Sequence, residues 1–207
     1  MKNIKKIFVS GIAFLILSLT ANAQKGTLKF DLNYNYSLPV SGFKSDIIKD
    51  NSPRGARGSI LYSFTDKLSA GIESGYQDYY QKYPRALYST GKTEQVSAVL
   101  TNSIQTTPLL IKAKYSLLNG AAIKPYVSLA AGANMIDFKQ YFGEFGSSET
   151  NFGFIGEGGL GVMIPFGKTK SSGIDIGATY DYVPYNKHGY NDLNSVNLRA
   201  GIYFPLH

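Results

Sequence analysis

The chain has 207 residues, no cysteine and a formal net charge of +7. A single domain is expected at this length, and the absence of cysteine excludes disulfides and thiolate metal sites. The 16 Tyr, 12 Phe and 22 Gly favour β-strands over helices. The positive charges are scattered along the chain, so the sequence lacks the basic run typical of nucleic-acid-binding proteins.

The first 23 residues have the three parts of a secretory signal peptide. Lys2, Lys5 and Lys6 form a basic start, residues 7–19 are mostly apolar, and Ala21-Asn22-Ala23 matches a small-x-small cleavage site. The alternative is an N-terminal membrane anchor, but a spanning helix needs about 20 apolar residues. We therefore predict cleavage of residues 1–23, which leaves a mature chain of residues 24–207 with a formal charge of +4.

The rest of the chain alternates apolar and polar residues with the period of two that β-strands require. The first segment shows this most clearly, because Leu28, Phe30 and Leu32 alternate with Lys29 and Asp31. Eight such segments follow one another, over roughly residues 28–38, 54–64, 68–77, 105–117, 126–135, 152–166, 174–182 and 196–204.

The connections between these predicted strands alternate between short and long. The short ones are residues 65–67, a turn around Asn119-Gly120, and residues 167–172; the long ones are residues 39–53, 78–104, 139–151 and 183–192. Short turns on one rim and long loops on the other are typical of bacterial outer-membrane barrels. Because lipid cannot satisfy open sheet edges, the strands must close on themselves to enter a membrane. The sequence therefore predicts an all-β fold, an eight-stranded antiparallel up-and-down transmembrane β-barrel over residues 24–207.

Aromatic residues lie near the ends of the predicted strands and are expected to form two belts at headgroup depth. The belt at the short turns would contain Tyr62, Phe64, Tyr115, Phe166 and Phe204. The belt at the long loops would contain Tyr36, Tyr76, Phe138, Phe152 and Tyr182, extended by Tyr79 and Tyr80. The alternative fold is a soluble lipocalin-like barrel with the apolar face inside, since period two alone does not say which face is outside.

Four stretches carry a family resemblance: residues 107–115 (Thr-Pro-Leu-Leu-Ile-Lys-Ala-Lys-Tyr), 124–132, 156–166 and 201–206. With them, the whole mature chain resembles the small outer-membrane β-barrel domain proteins of Bacteroidetes and, more distantly, the OmpA-like and OmpX-like eight-stranded barrels. The resemblance implies a location in the bacterial outer membrane and a porin-like family. It implies a fold and no particular activity.

The polar face of the predicted strands carries charges of both signs. The interior of an eight-stranded barrel is just wide enough for side chains, and buried charges are costly unless they are paired. We therefore expect a lumen charge network that fills the barrel, rather than an ion path, with Glu73 or Glu157 paired to Arg57, Lys112 or Arg199. The predicted network consists of Asp31, Arg57, Glu73, Lys112, Lys114, Glu157, Asp175, Asp181 and Arg199.

Function is expected at the long loops. The second is the longest and contains Tyr83, Arg85, Tyr88 and Lys92, a mixture of tyrosines and cations suited to recognition. This candidate recognition loop favours a structural, adhesive or surface-recognition protein without a large pore. Its expected partners are outer-membrane lipid and extracellular or envelope proteins, with no nucleic acid, cofactor or metal.

Two other functions remain open from the sequence. A lipid-modifying outer-membrane enzyme could use His188, with Ser195 close to it in sequence, although nothing presents Ser195 as a nucleophile. A solvated loop histidine is the simpler interpretation of His188. The third function is an accessory of an outer-membrane secretion or transport machine, which the family resemblance allows.

Overall fold

The computed structural model describes residues 26–89, 95–118, 122–142, 145–166, 171–187 and 190–206. The predicted signal peptide lies outside these residues. Within them are twelve strands: β1 (Leu28–Pro39), β2 (Gly55–Ser63), β3 (Leu68–Lys82), β4 (Ala86–Ser89), β5 (Gln95–Ala98), β6 (Leu100–Ser116), β7 (Lys124–Phe142), β8 (Phe145–Phe166), β9 (Ser172–Tyr182), β10 (Pro184–Lys187), β11 (Tyr190–Asp192) and β12 (Ser195–Leu206). A short π-helical segment, Phe43–Ile47, lies between β1 and β2.

Eight of these strands close into an antiparallel barrel in the order β1-β2-β3-β6-β7-β8-β9-β12. Closure is made by β1 and β12, which pair along their whole lengths, with Leu32 opposite Ile202. The remaining four strands form two small hairpins, β4–β5 and β10–β11, inside the second and fourth long connections. The predicted closed eight-stranded antiparallel barrel is thus confirmed.

The outer face of the barrel is apolar and the inner face is polar. Ile111, Leu129 and Phe154 are 75%, 71% and 52% exposed, although each lies in the middle of a strand. Their immediate neighbours along the chain, such as Lys112, are buried in the interior because successive side chains of a strand point to opposite faces. A lipocalin-like barrel would have these faces reversed, so that alternative is wrong.

Four neighbouring strands continue beyond the predicted ends at the long-loop rim. β7 and β8 pair up to Phe142 and Phe145, so the third predicted loop is a paired extension of the sheet. β3 and β6 also run on into the second predicted loop, where Gln81 pairs with Asn102. These extensions were missed because their apolar residues, such as Ile104 and Phe138, face the interior, which is the polar face in the rest of the barrel. The apolar positions therefore change face along the strand, and the alternation seen in the sequence breaks off.

The long connections fold over the barrel mouth as one hydrophobic cluster. Phe43, Ile47 and Ile48, from the first connection, are completely buried. Phe43 packs edge-on against Tyr79, with ring centroids 4.8 Å apart. The cluster continues into the lumen through Leu110, Ala130 and Ile155. We call its remaining part, at the long-loop end, the loop cap; it consists of Phe43, Ile47, Ile48, Tyr79, Ile104, Ile136, Phe138, Val183, Tyr185 and Leu193.

The loop cap corrects the predicted outer belt at two positions. Phe138 and Tyr79 are 5% and 4% exposed and face the interior. Tyr80 is 42% exposed and faces outward, as expected of the residue next to Tyr79 on a strand. Tyr76, Phe152 and Tyr182 are also exposed on the outer face. No helix in the described ranges has the length and apolar character needed to cross a membrane.

Candidate functional site

All nine residues of the predicted lumen charge network lie inside the barrel. Each is 5% exposed or less. They occupy inward positions on seven of the eight barrel strands, so their charges converge from all sides of the interior. Burial of this kind is tolerated only where the charges are paired and hydrogen-bonded.

Arg199 is the centre of the network. Its Nη1 donates to Glu73 Oε1 at 3.1 Å and to Glu157 Oε1 at 3.1 Å, and its Nη2 donates to Glu157 Oε2 at 2.6 Å. Lys112 Nζ lies 2.5 Å from Glu73 Oε2 and 3.6 Å from Glu157 Oε1. Two cations and two carboxylates therefore form one balanced cluster, in which the guanidinium geometry suits simultaneous contact with both carboxylates.

Arg57 and Asp181 form a second pair beside this cluster. Arg57 Nη2 donates to Asp181 Oδ2 at 2.9 Å, and Thr179 Oγ1 donates to Asp181 Oδ1 at 3.5 Å. Arg57 lies on β2 and Asp181 on β9, which are not adjacent in the barrel. The ion pair therefore spans part of the lumen and joins two strands that β1 and β12 separate.

A third group lies towards the short turns. Lys114 Nζ contacts Asp31 Oδ2 at 2.6 Å and Asp175 Oδ2 at 2.8 Å. The hydroxyl of Tyr126 donates to Asp175 Oδ1 at 2.6 Å, and the Lys114 ammonium lies 4.6 Å from the centre of the Tyr126 ring. One ammonium thus bridges two carboxylates, and a tyrosine hydroxyl satisfies the second of them.

Uncharged polar side chains extend the network towards the loop cap. Asn35 Oδ1 accepts from Arg199 Nε at 3.2 Å, and Asn35 Nδ2 donates to Gln77 Oε1 at 2.7 Å. Gln77 Nε2 in turn donates to Ser52 Oγ at 2.7 Å. These residues were not part of the predicted network. The signal that could have included Asn35 and Gln77 is their position on the same inward face as the charges.

The described residues of the candidate recognition loop lie in different environments. Tyr83 is half-buried and its hydroxyl donates to the Ile47 carbonyl oxygen at 3.0 Å, which ties the loop to the first connection. Arg85 is exposed. Tyr88 belongs to β4 and pairs with Val96 of β5. Lys92 lies outside the described residues.

Ser195, the serine of the enzyme alternative, is not presented to a substrate. Ser195 is 2% exposed, and its Oγ accepts a hydrogen bond from the Tyr79 hydroxyl at 3.3 Å. His188 lies outside the described residues. Among the residues that the structure describes, no group of three or more His, Asp or Glu side chains is placed to hold a metal ion.

A closed eight-stranded barrel with an apolar exterior and a charged, filled interior defines the fold class of the small outer-membrane barrels. Neisserial surface protein A has this fold: its structure matches with a TM-score of 0.54 and 14% identity, covering 90% of this chain and 100% of that one. Ail, the attachment invasion locus protein of Yersinia pestis, matches with a TM-score of 0.49 and 13% identity, covering 87% of this chain and 100% of that one. The outer membrane protein OprG of Pseudomonas aeruginosa matches with a TM-score of 0.45 and 16% identity, covering 90% and 98%.

At these identities the solved structures show the fold alone. No protein-family model matches the chain, and no curated protein sequence matches it. Function must therefore be inferred from the chain's own residues.

Proposed function

We propose that the protein is a small barrel of the bacterial outer membrane, without a large pore, that acts as a structural, adhesive or surface-recognition protein through its long-loop end. The observation that carries this proposal is the contrast between the outer and inner faces of the barrel. Apolar side chains cover the outside of a closed barrel, while nine charged side chains are buried within it. That distribution suits hydrocarbon outside the protein and is the reverse of what water would favour.

The edges of the apolar outer face support a membrane location. Tyr62, Phe64 and Phe166 are exposed near the short turns, and Tyr76 and Tyr182 are exposed towards the long loops. Aromatic rings at both edges of an apolar band are the pattern of barrels that cross a bilayer. Export with a cleaved signal peptide is part of this proposal, as is the Bacteroidetes-type origin that the resemblance implies.

The filled interior supports a role other than that of a general pore. The Arg199, Lys112 and Arg57 ion pairs occupy the middle of the lumen, and the loop cap covers its long-loop end. A hydrated ion would have to break these contacts to pass. An eight-stranded interior leaves little room beside its own side chains.

The location can be tested by fractionating cells that produce the full chain. We expect the protein in the outer-membrane fraction. On a detergent-containing gel the unheated protein should migrate as a compact band, because a closed barrel resists unfolding in detergent, and heating should shift that band. Planar bilayers containing it should show no large, steady conductance. Recovery in the soluble periplasmic fraction would contradict the membrane proposal, and a porin-like conductance would contradict the filled lumen.

The recognition role can be tested on the β4–β5 hairpin. Residues 86–97 would be replaced by a short Gly/Ser turn, which keeps the half-buried Tyr83 and the buried Ala98 in place. The barrel should still fold, because loop length is well tolerated. Adherence of producing cells to a surface, measured against cells without the protein, should fall several-fold.

The matched control for that experiment is His188→Ala, which should leave adherence unchanged. If the protein is instead a lipid-modifying enzyme, the phenotype should be lost in His188→Ala and kept in the hairpin replacement, because the enzyme needs His188 and does not need the hairpin. Loss of the phenotype in His188→Ala, together with full activity of the hairpin replacement, would point to a hydrolytic site instead.

A further inference from the structure

The four strands that continue beyond the apolar band carry a different outer face. On β3, β7 and β8 the continuous apolar outward positions end at Tyr76, Met135 and Phe152. Beyond them, directly paired residues of neighbouring strands point to the same side and form rows across the sheet. We call three such rows the side platform; they are Asp78, Gln105, Asp137 and Thr150; Tyr80, Ser103, Lys139 and Ser148; and Lys82, Thr101, Tyr141 and Gly146.

Two tyrosine rings are exposed on the side platform. Tyr80 and Tyr141 are 42% and 41% exposed. They lie two strands and one row apart, which places their Cα atoms roughly 12 Å from each other. The Tyr141 ring lies over Gly146, where an added methyl group would come within 2.5 Å of Cδ1 and Cε1. The Arg54 guanidinium lies 5.6 Å from the centre of the Tyr80 ring. Both rings are therefore held by neighbouring groups while part of each remains accessible.

Hydrogen-bonding groups of both kinds surround the two rings. Arg54 pairs with Asp78 at 3.2 Å, and Thr150 Oγ1 donates to Asp137 Oδ1 at 2.5 Å. Lys82 is exposed at the outer end of β3. Carboxylates accept, ammonium groups donate and hydroxyls do both, which suits the many hydroxyls of a sugar. The apolar C–H faces of sugar rings pack on aromatic rings. The side platform thus has the two kinds of group that bind saccharides.

The direction of the side platform favours one source of saccharide. The platform continues the apolar outer wall on the same strands, directly past Tyr76 and the 78% exposed Phe152. It points away from the barrel axis, along the plane of the proposed membrane. A lipid whose acyl chains lie against the wall therefore has its headgroup beside the platform. A partner approaching from above would instead meet the loop cap.

We propose that the side platform binds the saccharide headgroups of glycolipids in the leaflet that the long-loop rim faces. The proposal rests on the membrane location stated above and goes beyond it by naming a surface and its ligand. The tyrosines pack on sugar rings, while Asp78 and Asp137 accept hydrogen bonds from sugar hydroxyls. Arg54, Lys82 and Lys139 outnumber these carboxylates and bind phosphate groups carried by the sugars.

The test uses the full chain, purified from the membranes of producing cells and kept folded in detergent micelles. Isothermal titration calorimetry measures its affinity for rough lipopolysaccharide, which carries lipid A and core sugars, and for lipid A alone. We expect lipopolysaccharide to bind about tenfold more tightly, because only its core sugars reach both tyrosines. Equal affinities of the wild type for the two glycolipids would overturn the proposal.

The variant Tyr80→Ala/Tyr141→Ala should bind lipopolysaccharide about tenfold more weakly than the wild type and about as weakly as it binds lipid A. Its matched control is Tyr62→Ala/Tyr115→Ala, which removes two tyrosines of similar exposure, 40% and 43%, at the short-turn rim. The control should keep the wild-type affinity. An equal loss in both variants, or full binding by the folded Tyr80→Ala/Tyr141→Ala protein, would overturn the proposal.

Gly146→Val tests the position of a ring without removing it. The added side chain displaces the Tyr141 ring from its place over Gly146, so binding of lipopolysaccharide should weaken several-fold although both tyrosines remain. These variants change only exposed residues, and each should retain the heat-shifted gel band of the folded barrel. Unchanged affinity in Gly146→Val would contradict the side platform as the binding surface.

Core oligosaccharide released from lipopolysaccharide without its lipid distinguishes a glycolipid from a soluble glycan. Much weaker binding of this oligosaccharide than of intact lipopolysaccharide supports the glycolipid assignment. Binding as tight as that of the intact molecule would reveal a site for soluble glycans and overturn the assignment. Absence of the heat-shifted band from the wild-type protein would instead contradict the membrane barrel on which the proposal rests.

Discussion

Replacing Arg199 with leucine should destabilise the folded barrel by about 3–5 kcal/mol, because it leaves buried carboxylates without their main partner. Arg199 contacts Glu73 at 3.1 Å and Glu157 at 2.6 Å, and its side chain is 5% exposed. Lys112 alone would then face both carboxylates. Urea titration in vesicles, with the folded fraction read from the heat-shifted gel band, measures the change in the free energy of unfolding.

The chain offers a matched control in Arg54→Leu. Arg54 also pairs with a carboxylate, Asp78 at 3.2 Å, but its side chain is 60% exposed. Exposed ion pairs contribute at most about 1 kcal/mol, so this substitution should have little effect. Adding Glu157→Gln to Arg199→Leu should restore part of the lost stability, because one uncompensated charge is removed. Equal effects of Arg54→Leu and Arg199→Leu would contradict a network that depends on burial.

Ile176→Arg should cost about 2–4 kcal/mol when the protein is folded in lipid vesicles, because the charge would lie at mid-bilayer depth. Ile176 is near the middle of β9 and is 46% exposed on the outer face. In the proposed membrane location, this exposed apolar side chain contacts hydrocarbon. The free energy of unfolding in vesicles, compared with that of the wild type, measures the cost.

Leu206→Arg tests whether depth decides that cost. Leu206 is the last residue of β12 and is 38% exposed at the short-turn rim, where a charge can reach the headgroups. The expected cost there is about 0–1 kcal/mol. The same cost at both positions would mean that the outer face does not lie in a bilayer, whatever the resemblance to known barrels.

The parts of the fold that alternate strongly could be predicted from the sequence. β1 was expected over residues 28–38 and is observed at Leu28–Pro39, since every second residue is apolar throughout it. The paired ends of β7 and β8 could not be predicted in this way. There Ile136 and Phe138 face the interior, while Asp137 faces outward and accepts a hydrogen bond from Thr150. This reverses the pattern of the rest of the strand, so the alternation that predicts a strand breaks off at Met135.

The composition of the lumen and part of its pairing could be predicted. Glu73 and Glu157 pair with Lys112 and Arg199, as expected, whereas Arg57 pairs with Asp181 instead. Inward positions follow from the period of two, which places Arg57 and Asp181 in the interior. Their contact at 2.9 Å depends on the diameter of the barrel and on the stagger of its strands. The loop cap was missed for a different reason. Phe43, Ile47 and Ile48 have helix-like spacing in a segment too short to reveal its period.

The pairing of β1 with β12 sets a condition on biosynthesis. β1 is the first and β12 the last barrel strand in sequence order, and Asn33 pairs with Gly201 across them. The barrel can therefore close only when β12 is available to pair with β1. Contacts between residues so far apart in sequence form slowly. Until then both strands expose unpaired backbone groups that can join other chains. The chain thus needs to be held apart from its copies during assembly, and a version that lacks β12 would leave two open edges that lipid cannot satisfy.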